Sequence, residues 1–437
     1  MRIVFIVVSA VLALGACGER AAPAEAPSTE GVAREPVPVD AVADAFVRLG
    51  LGLGLHDENY VDAYQGDPAL RADVEASAPT LDALRAEAER LLAALDAQPH
   101  ERPDARAAML RKQIVAAHAR IRMAQGETLS FDEETRLLYD AVAPSYDLAE
   151  FDAALEAIEA LLPGEGALSG RVSAFRESLA IPGDRLSAVF DAAIAECRKR
   201  TLARYDLPQD ETFRVGYVTD KPWGGYNWYQ GGYESLIEVN TDLPVIIDRA
   251  VDLGCHEGYP GHHTWNVLAE KNFLNANGWS EYAIFPLFSP QALILEGSAN
   301  YGIELAFSDE EKTAFERDVL FPLAGLDPAA ADDLAALNKA RRRLSHARNH
   351  VAREYLDGRM DADTAVATLM KYSLVSRERA EKSLSFIETY RGYVINYNLG
   401  RDLVEAYVER AVAAGDDPWA AFEAVLTRPV AASDLAG

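Results

Sequence analysis

The chain has 437 residues, of which 49% are hydrophobic, and this length allows two domains or one large helical domain with its own core. Its 69 acidic residues outnumber 42 lysines and arginines, which gives a formal net charge of −27 at pH 7. Phosphate backbones repel such a protein, so nucleic acid is excluded as an expected partner, while divalent cations are weakly attracted.

The N-terminus has the pattern of a secretory signal. Residues 3–14 form a largely apolar run behind a charged start. Because a run of that length is too short to span a bilayer, which takes about 20 residues, residues 1–16 are predicted to be a signal peptide. The run ends in Leu-Gly-Ala-Cys, which resembles the bacterial lipoprotein signal and implies a lipid on Cys17. The alternative is ordinary cleavage at the small residues before Cys17.

Lipidation would tether the protein to a membrane without a spanning helix, because several acyl chains hold far better than one. Gly18 follows the cysteine, which by resemblance to Gram-negative lipoproteins implies the periplasmic face of the outer membrane. Residues 17–40 are rich in Ala, Pro and Glu without apolar periodicity, as in a flexible linker. We therefore expect a cell-envelope protein whose remaining residues, 41–437, fold away from the membrane.

The first half of this domain, residues 41–205, is predicted to be helical. Apolar residues recur there at steps of three and four, the spacing of one helix face, and prolines divide the segment into helices of ordinary length. These helices are expected to pack antiparallel. One clear stripe consists of Leu186, Val189, Phe190, Ala193, Ile194 and Cys197.

Apart from Cys17 the chain contains only Cys197 and Cys255, too few for a disulfide framework. A single disulfide between them is one alternative. We expect them to be unpaired, because Cys197 belongs to an apolar helix stripe and Cys255 adjoins the histidine motif described below.

Residues 206–437 are predicted to be the catalytic part, which begins with a change of pattern. Short apolar runs between residues 213 and 245 are bracketed by glycine pairs, which indicates a small β-sheet. In zinc peptidases such a sheet often precedes the metal-binding helix, and its edge strand can pair with an extended peptide. The aromatic residues within it either line the same cleft or form a small core: Tyr217, Trp223, Tyr226, Trp228 and Tyr229.

The sequence Cys-His-Glu-Gly-Tyr-Pro-Gly-His-His at residues 255–263 concentrates the chemistry. A His followed at once by Glu, with further His nearby, is how a helix supplies zinc with two imidazole ligands and a general base. In the common His-Glu-x-x-His pattern the two His lie four apart, about one turn. Here Pro260 takes that place and His262 lies six residues after His256, which on an ideal helix turns the rings to different faces.

The helix must therefore deform for both rings to reach one metal. Gly258, Pro260 and Gly261 are suited to this, because glycine accepts unusual backbone angles and proline interrupts the hydrogen-bond ladder. We predict a bulge that brings His262 to the position of the second ligand. His263 is the alternative ligand if the bulge is smaller.

A third ligand is expected downstream, because a catalytic zinc site uses three protein ligands and leaves one position for water. Residues 292–307 form a predicted helix with two suitable carboxylates. We assign Glu296 as the ligand and place Glu304 behind it, where it would orient a histidine. The pair His346 and His350 lacks an adjacent Glu, and there we expect a charged helix that crosses the cleft.

The octapeptide at residues 256–263, together with Glu296-Gly297, Tyr301 and Glu304, resembles the large bacterial family of zinc-peptidase-like proteins named for domain of unknown function 885. The resemblance covers most of the chain after the linker. It implies a mainly α, zincin-like metallopeptidase fold of the gluzincin type, with a small β-sheet beside the active-site helix and a deep cleft.

The resemblance also implies site residues. His256, His262 and Glu296 would bind one Zn²⁺ ion, and Glu257 would be the catalytic base. Family members share these roles on motifs that match this chain at each of the four positions.

Two positions depart from the family pattern. Ser298 stands where the family usually has Trp, and Tyr393 stands where it usually has Gln, whereas Tyr397 and Gly400 keep their places. These departures leave metal binding intact and affect substrate preference.

We therefore predict a zinc-dependent hydrolase that cleaves peptide bonds. Glu257 would accept the water proton and pass it to the leaving amine, and Tyr397 would donate to the oxyanion, a role generally worth about 10²–10³ in rate. Two alternatives are a hydrolase of another amide, such as a peptidoglycan cross-link or an acylated amino acid, and an envelope lipoprotein that binds peptides without catalysis.

Overall fold

A computed structural model describes residues 37–97, 104–221 and 223–436 of the chain. The predicted signal peptide, Cys17 and all but the last residues of the predicted linker lie outside these ranges. From Val37 onward the described residues belong to one compact unit. None of their helices combines the length and the apolar character needed to cross a bilayer.

The unit is mainly α-helical, as predicted. The helices in chain order are α1 Val39–Gly54, α2 Pro68–Ser77, α3 Leu81–Asp96, α4 Ala105–Ala124, α5 Phe131–Tyr139, α6 Leu148–Leu161, α7 Leu168–Glu177, α8 Leu186–Leu202, α9 Arg249–Leu253, α10 His262–Ala269, α11 Pro290–Ala306, α12 Asp309–Phe315, α13 Phe321–Ala324, α14 Ala331–Arg342, α15 Ala347–Leu356, α16 Ala362–Ser373, α17 Arg377–Tyr390, α18 Ile395–Ala414, α19 Pro418–Thr427 and α20 Ala432–Leu435.

Local sequence explains where many helices begin. The side chains of Thr80, Asp104 and Ser289 each accept a hydrogen bond from a backbone N–H of the first turn of α3, α4 and α11, which satisfies donors that a helix leaves unpaired. Each of these helices then buries its apolar positions. The predicted stripe on α8 is confirmed, because all six of its members are buried.

The predicted small sheet is also confirmed. It consists of β2 Thr212–Val218, β3 Gly225–Gly231 and β4 Glu234–Asn240, in the order β2-β4-β3. β2 is parallel to β4 and β3 is antiparallel to it, so β3 is an edge strand. A second, two-stranded ladder pairs β1 Val61–Tyr64 with β5 Ile284–Pro286, and its strands are too short to have been predicted.

Helices α11 and α18 cross at two glycines, close to the predicted third ligand. A Cβ atom on Gly297 would lie 2.3 Å from the backbone carbon of Gly400, and one on Gly400 would lie 2.6 Å from the oxygen of Leu293. Only glycine permits such a close approach of two backbones. The contact sets Glu296 beside the segment that carries Tyr393 and Tyr397.

The expectation of unpaired cysteines is wrong, because Cys197 and Cys255 form a disulfide. Both residues are fully buried. The stripe of α8 packs against the segment that precedes the histidine motif, so the position of Cys197 on that stripe brings the two sulfur atoms together. The place of Cys197 on the apolar stripe, which suggested an unpaired cysteine, therefore favours the disulfide.

Candidate metal centre

The histidine motif lies on an interrupted helix. After α9, residues Gly254–Gly258 form a π-helical turn, residues 259–261 leave the helix, and α10 begins at His262. The Tyr259–Pro260 peptide bond is cis. The helix is therefore deformed at the inserted residues, as the glycines and the proline predict.

Gly261 allows the chain to fold back on itself. A Cβ atom at this position would lie 1.8 Å from the backbone oxygen of His256, so no other residue fits. The Gly261 N–H donates to the Cys255 carbonyl at 3.0 Å. As a result the rings of His256 and His262 lie 4.5 Å apart between centroids, at 83° to each other.

Glu296 on α11 faces both rings. Its Oε2 atom lies 3.4 Å from Nε2 of His256 and 3.9 Å from Nε2 of His262. The hydroxyl of Tyr393 donates to the other oxygen, Oε1, at 2.9 Å. Oε2 itself is buried without a hydrogen bond among the described residues. The structure thus brings His256, His262 and Glu296 together around one point.

A hydrogen bond with Asn300 fixes the orientation of the His256 ring. Its Nδ1 atom lies 3.1 Å from Oδ1 of Asn300, whose amide nitrogen donates to the backbone oxygen of Tyr397 at 3.1 Å. A hydrogen bond at one ring nitrogen leaves the other for a ligand. Nε2 of His256 is therefore presented towards Glu296.

Glu257 lies on the same turn as His256. One atom each of His256, Glu257 and His262 lies within 4.8 Å of the others. The carboxylate rests against the edge strand β3, because its Oε1 is 3.3 Å from where a Cβ of Gly225 would be. The amide of Asn227 on that strand donates to the Glu257 carbonyl at 2.7 Å.

The four groups perturb one another strongly. Burial raises the pKa of Glu257 to about 7, and the charge of Glu296 adds to the rise. Burial and the charge of His256 lower the pKa of His262 to about 3. Burial alone would lower the pKa of His256 and raise that of Glu296, but the attraction between the imidazole and the carboxylate, whose Nε2 and Oε2 atoms lie 3.4 Å apart, reverses both directions. The side chains of the two His and Glu296 are 12–13% exposed, so solvent still reaches them.

His263, the alternative ligand, points away from this centre. Its ring is buried, with Nδ1 2.8 Å from the Ser235 hydroxyl and Nε2 3.0 Å from Oε2 of Glu211. Glu211 also accepts from the hydroxyl of Tyr259 and pairs with Arg198 at 2.5 Å. Both ring nitrogens are therefore engaged in a network that anchors the motif to the sheet.

The prediction that Glu304 orients a histidine is wrong in this structure. Glu304 pairs with Arg401 at 2.5 Å, and Asn300, one turn nearer to Glu296, takes the predicted role. His346 lies 3.0 Å from the Tyr146 hydroxyl and 2.9 Å from Asp402.

The aromatic residues of the sheet divide between two surroundings. The hydroxyl of Tyr226 donates to Asp62 of β1, and its pKa is raised by burial and then by Asp62, with smaller contributions from Glu296 and Glu257. Tyr217 and Trp228 are 39% and 40% exposed. The ring of Tyr397 packs edge-on against that of Tyr393, with centroids 5.8 Å apart. Burial raises the pKa of the Tyr397 hydroxyl well above 10, and Glu296 and Glu257 add to the rise.

Four residues that hold the centre carry no local sequence signal of their role. They are Glu211, Ser235, Asn300 and Tyr393. Only Tyr393 stood out in the sequence, as a departure from the family pattern, and its hydroxyl supports Glu296 directly.

No family model and no curated protein matches the chain. Several solved structures are similar to it, and three of them are described here. A protein described as a putative lipoprotein from Colwellia psychrerythraea aligns with a TM-score of 0.55 at 15% identity, over 91% of this chain and 75% of that one. Another such lipoprotein, of unknown function, from Shewanella oneidensis aligns with a TM-score of 0.50 at 13% identity, over 84% and 75%. The M32 carboxypeptidase from Deinococcus radiodurans R1 is less similar, with a TM-score of 0.39 at 14% identity, over 88% and 87%. The first two likenesses show a shared mainly helical fold.

Proposed function

We propose that this protein is a zinc-dependent hydrolase of peptide bonds, tethered to the cell envelope and related to the family of domain of unknown function 885. The observation that carries the proposal is the convergence of Nε2 of His256, Nε2 of His262 and Oε2 of Glu296. Two imidazoles and a carboxylate are a donor set typical of catalytic zinc.

The donors also fit a cation in detail. A buried carboxylate oxygen without a hydrogen bond is rare in folded proteins, and Oε2 of Glu296 is such an atom among the described residues. A divalent ion between the rings and this oxygen would satisfy it. Tyr393 and Asn300 would hold the carboxylate and the ring of His256 in position.

Zinc, when bound, would supply a Lewis acid and lower the pKa of a water molecule. Residues of the chain would transfer the proton and stabilise the oxyanion. Glu257 would accept a proton from the attacking water and deliver it to the leaving amine. The hydroxyl of Tyr397, which burial keeps protonated, would donate to the oxyanion.

An extended peptide is the substrate best supported by the surroundings. Strand β3 ends the described sheet, and the Glu257 carboxylate rests against its Gly225. A peptide that adds to this edge by backbone hydrogen bonds would pass directly beside the general base.

The envelope location is supported by two further observations. A disulfide between Cys197 and Cys255 is typical of an oxidising compartment such as the periplasm. Two proteins of similar fold are described as lipoproteins. Lipidation at Cys17 and attachment to the outer membrane are part of the same proposal.

Metal content and hydrolysis test the proposal separately. Zinc should be found at one ion per chain by mass spectrometry in wild type and in Glu257→Gln, and be lost in His262→Ala. Hydrolysis of a mixed peptide library should fall by at least about 10²-fold in Glu257→Gln. Glu304→Gln serves as the matched control on α11 and should retain zinc. Full zinc in His262→Ala would reject the ligand set, and undiminished hydrolysis by Glu257→Gln would reject the base.

A further inference from the structure

Arg348, in the first turn of α15, has an unusual environment for an arginine. It is only partly exposed, and burial lowers the pKa of its guanidinium. Within the ranges that the structure describes, this guanidinium has neither a hydrogen bond nor an ion pair. A cation withdrawn from water without a partner costs free energy, so a group from outside the chain is expected to meet it.

Three other arginines with little exposure have partners within the protein. Arg353 donates to Asp132 at 2.8 Å, Arg176 to Asp248 at 2.9 Å and Arg391 to Glu134 at 2.6 Å. Each of these pairs joins two elements and is explained by the fold. Arg348 joins no such elements, so the fold alone does not explain its charge.

The segment that carries Arg348 is tied to the segment that carries Tyr397. The amide of Asn398 donates to the backbone oxygen of Ser345 at 2.7 Å, which ties the start of α15 to the residue after Tyr397. Arg348 and Tyr397 act on each other electrostatically, and Tyr397 is in turn affected by Glu296 and Glu257. Tyr397 is therefore within electrostatic range of both Arg348 and the two carboxylates.

We infer that Arg348 forms a carboxylate subsite beside the candidate metal centre and selects peptides with a free carboxylate close to the bond that is cleaved. This inference rests on the proposed function, whose substrate class it narrows. A guanidinium binds a carboxylate through two parallel hydrogen bonds and keeps its charge at all relevant pH values. The carboxylate comes from the C-terminus of the peptide or from an Asp or Glu side chain.

Matched peptides separate these two sources. The first pair is an acetylated tripeptide with a free C-terminus and its C-terminal amide. The second pair is amidated and carries Glu or Gln after the cleaved bond. A charge-assisted contact of this kind should raise kcat/KM by about 10- to 100-fold for the carboxylate member of one pair. Equal rates within both pairs for the wild type would overturn the inference.

Variants assign the preference to Arg348. Arg348→Gln should abolish it, and Arg348→Lys should keep the charge but only part of the preference, because an ammonium lacks the planar fork. Arg343→Gln, an exposed arginine five residues earlier, is the matched control and should keep the full preference. Zinc content should not change and the melting temperature should not fall in the Arg348 variants. A preference that survives Arg348→Gln would overturn the assignment, and if that variant does not fold, Arg348→Lys and the wild-type peptide pairs decide.

A binding measurement separates failure of this inference from failure of the proposed function. Calorimetry on zinc-loaded Glu257→Gln would compare an N-acetylated amino acid with its amide. If no peptide is hydrolysed but the acid binds at least about 10-fold more tightly, and Arg348→Gln removes the difference, the subsite stands and the proposed reaction fails. If peptides are hydrolysed without any carboxylate preference, the reaction stands and the subsite fails.

Discussion

Glu211 anchors the second half of the histidine motif, and its charge is expected to stabilise the folded protein. The side chain is 1% exposed and pairs with Arg198 at 2.5 Å. Its Oε2 atom also lies 3.0 Å from Nε2 of His263 and accepts a hydrogen bond from the hydroxyl of Tyr259. Replacement by Gln keeps the shape of the side chain and removes its charge. We predict that Glu211→Gln lowers the free energy of unfolding at pH 7.

The size of the loss follows from these three contacts. A hydrogen bond to a charged group contributes about 1.5–3 kcal/mol, and the amide oxygen of Gln would retain part of the contacts to His263 and Tyr259. The guanidinium of Arg198 is 45% exposed, so solvent screening limits its ion pair to no more than about 1 kcal/mol. The expected loss is about 2–4 kcal/mol in total.

The same substitution should change how stability depends on pH. Burial alone would raise the pKa of Glu211, but hydrogen bonds from His263, Tyr259 and Arg198 lower it below the ordinary 4.5. The folded state therefore binds fewer protons than the unfolded state, so this stabilisation is fully present above the ordinary pKa and is lost as pH falls through the lowered one. The difference between wild type and Glu211→Gln should shrink on acidification.

Urea unfolding at pH 7 and at about pH 3.5 checks both statements. Glu87→Gln is the control, because Glu87 forms an ion pair with Arg90 in which the two side chains are 35% and 53% exposed, and it should change stability by less than about 0.5 kcal/mol. Equal stability of wild type and Glu211→Gln at pH 7 would refute the reasoning. So would a difference that widens as the pH falls.

Three further predictions concern the motif, the disulfide and a buried carboxylate. Gly261→Ala would place a Cβ atom 1.8 Å from the His256 oxygen. It should therefore lower the free energy of unfolding by at least about 1–3 kcal/mol and abolish zinc binding measured by mass spectrometry. Retained zinc would contradict this prediction. Cys197→Ser should destabilise by up to about 4 kcal/mol in thermal or urea unfolding, because the disulfide to Cys255 closes a loop with a sequence separation of 58; reduction of the wild type should reproduce the loss. Burial raises the pKa of Glu316 to about 7, so the folded state binds the extra proton and loses stability as pH rises from about 4.5 to 7. The free energy of unfolding of Glu316→Gln should therefore exceed that of the wild type by about 1–3 kcal/mol at pH 8 and by little at pH 4 in urea unfolding. A gain in stability confined to acid pH would contradict this prediction.

The parts of the fold that depend on residues close together in the sequence were predictable. The stripe on α8 is buried as its spacing predicts, and the glycine-bracketed runs form the small sheet. The break at Gly261 and the approach of His262 to His256 also follow from local chemistry, since a proline and two glycines cannot continue a regular helix.

Contacts between distant segments were not predictable in this way. Tyr393 lies 97 residues after Glu296 and His263 lies 52 residues after Glu211, and no local pattern indicates that such residues meet. Glu304 was misassigned for a geometric reason. Eight residues after Glu296 it is about 12 Å further along the helix axis, whereas Asn300, four residues on, is one turn away on the same face.

The crossing of α11 and α18 has a consequence for how the specificity of this protein could be redesigned. Gly297 follows Glu296 directly and Gly400 comes three residues after Tyr397, and their backbones touch. The separation between the proposed ligand and the proposed oxyanion donor is thus set by two main chains and not by side-chain rotamers, so repacking elsewhere in the core leaves it unchanged. An engineer could therefore vary a neighbouring residue such as Arg348 while the separation between Glu296 and Tyr397 stays fixed. Any side chain added at the crossing would instead move both residues at once.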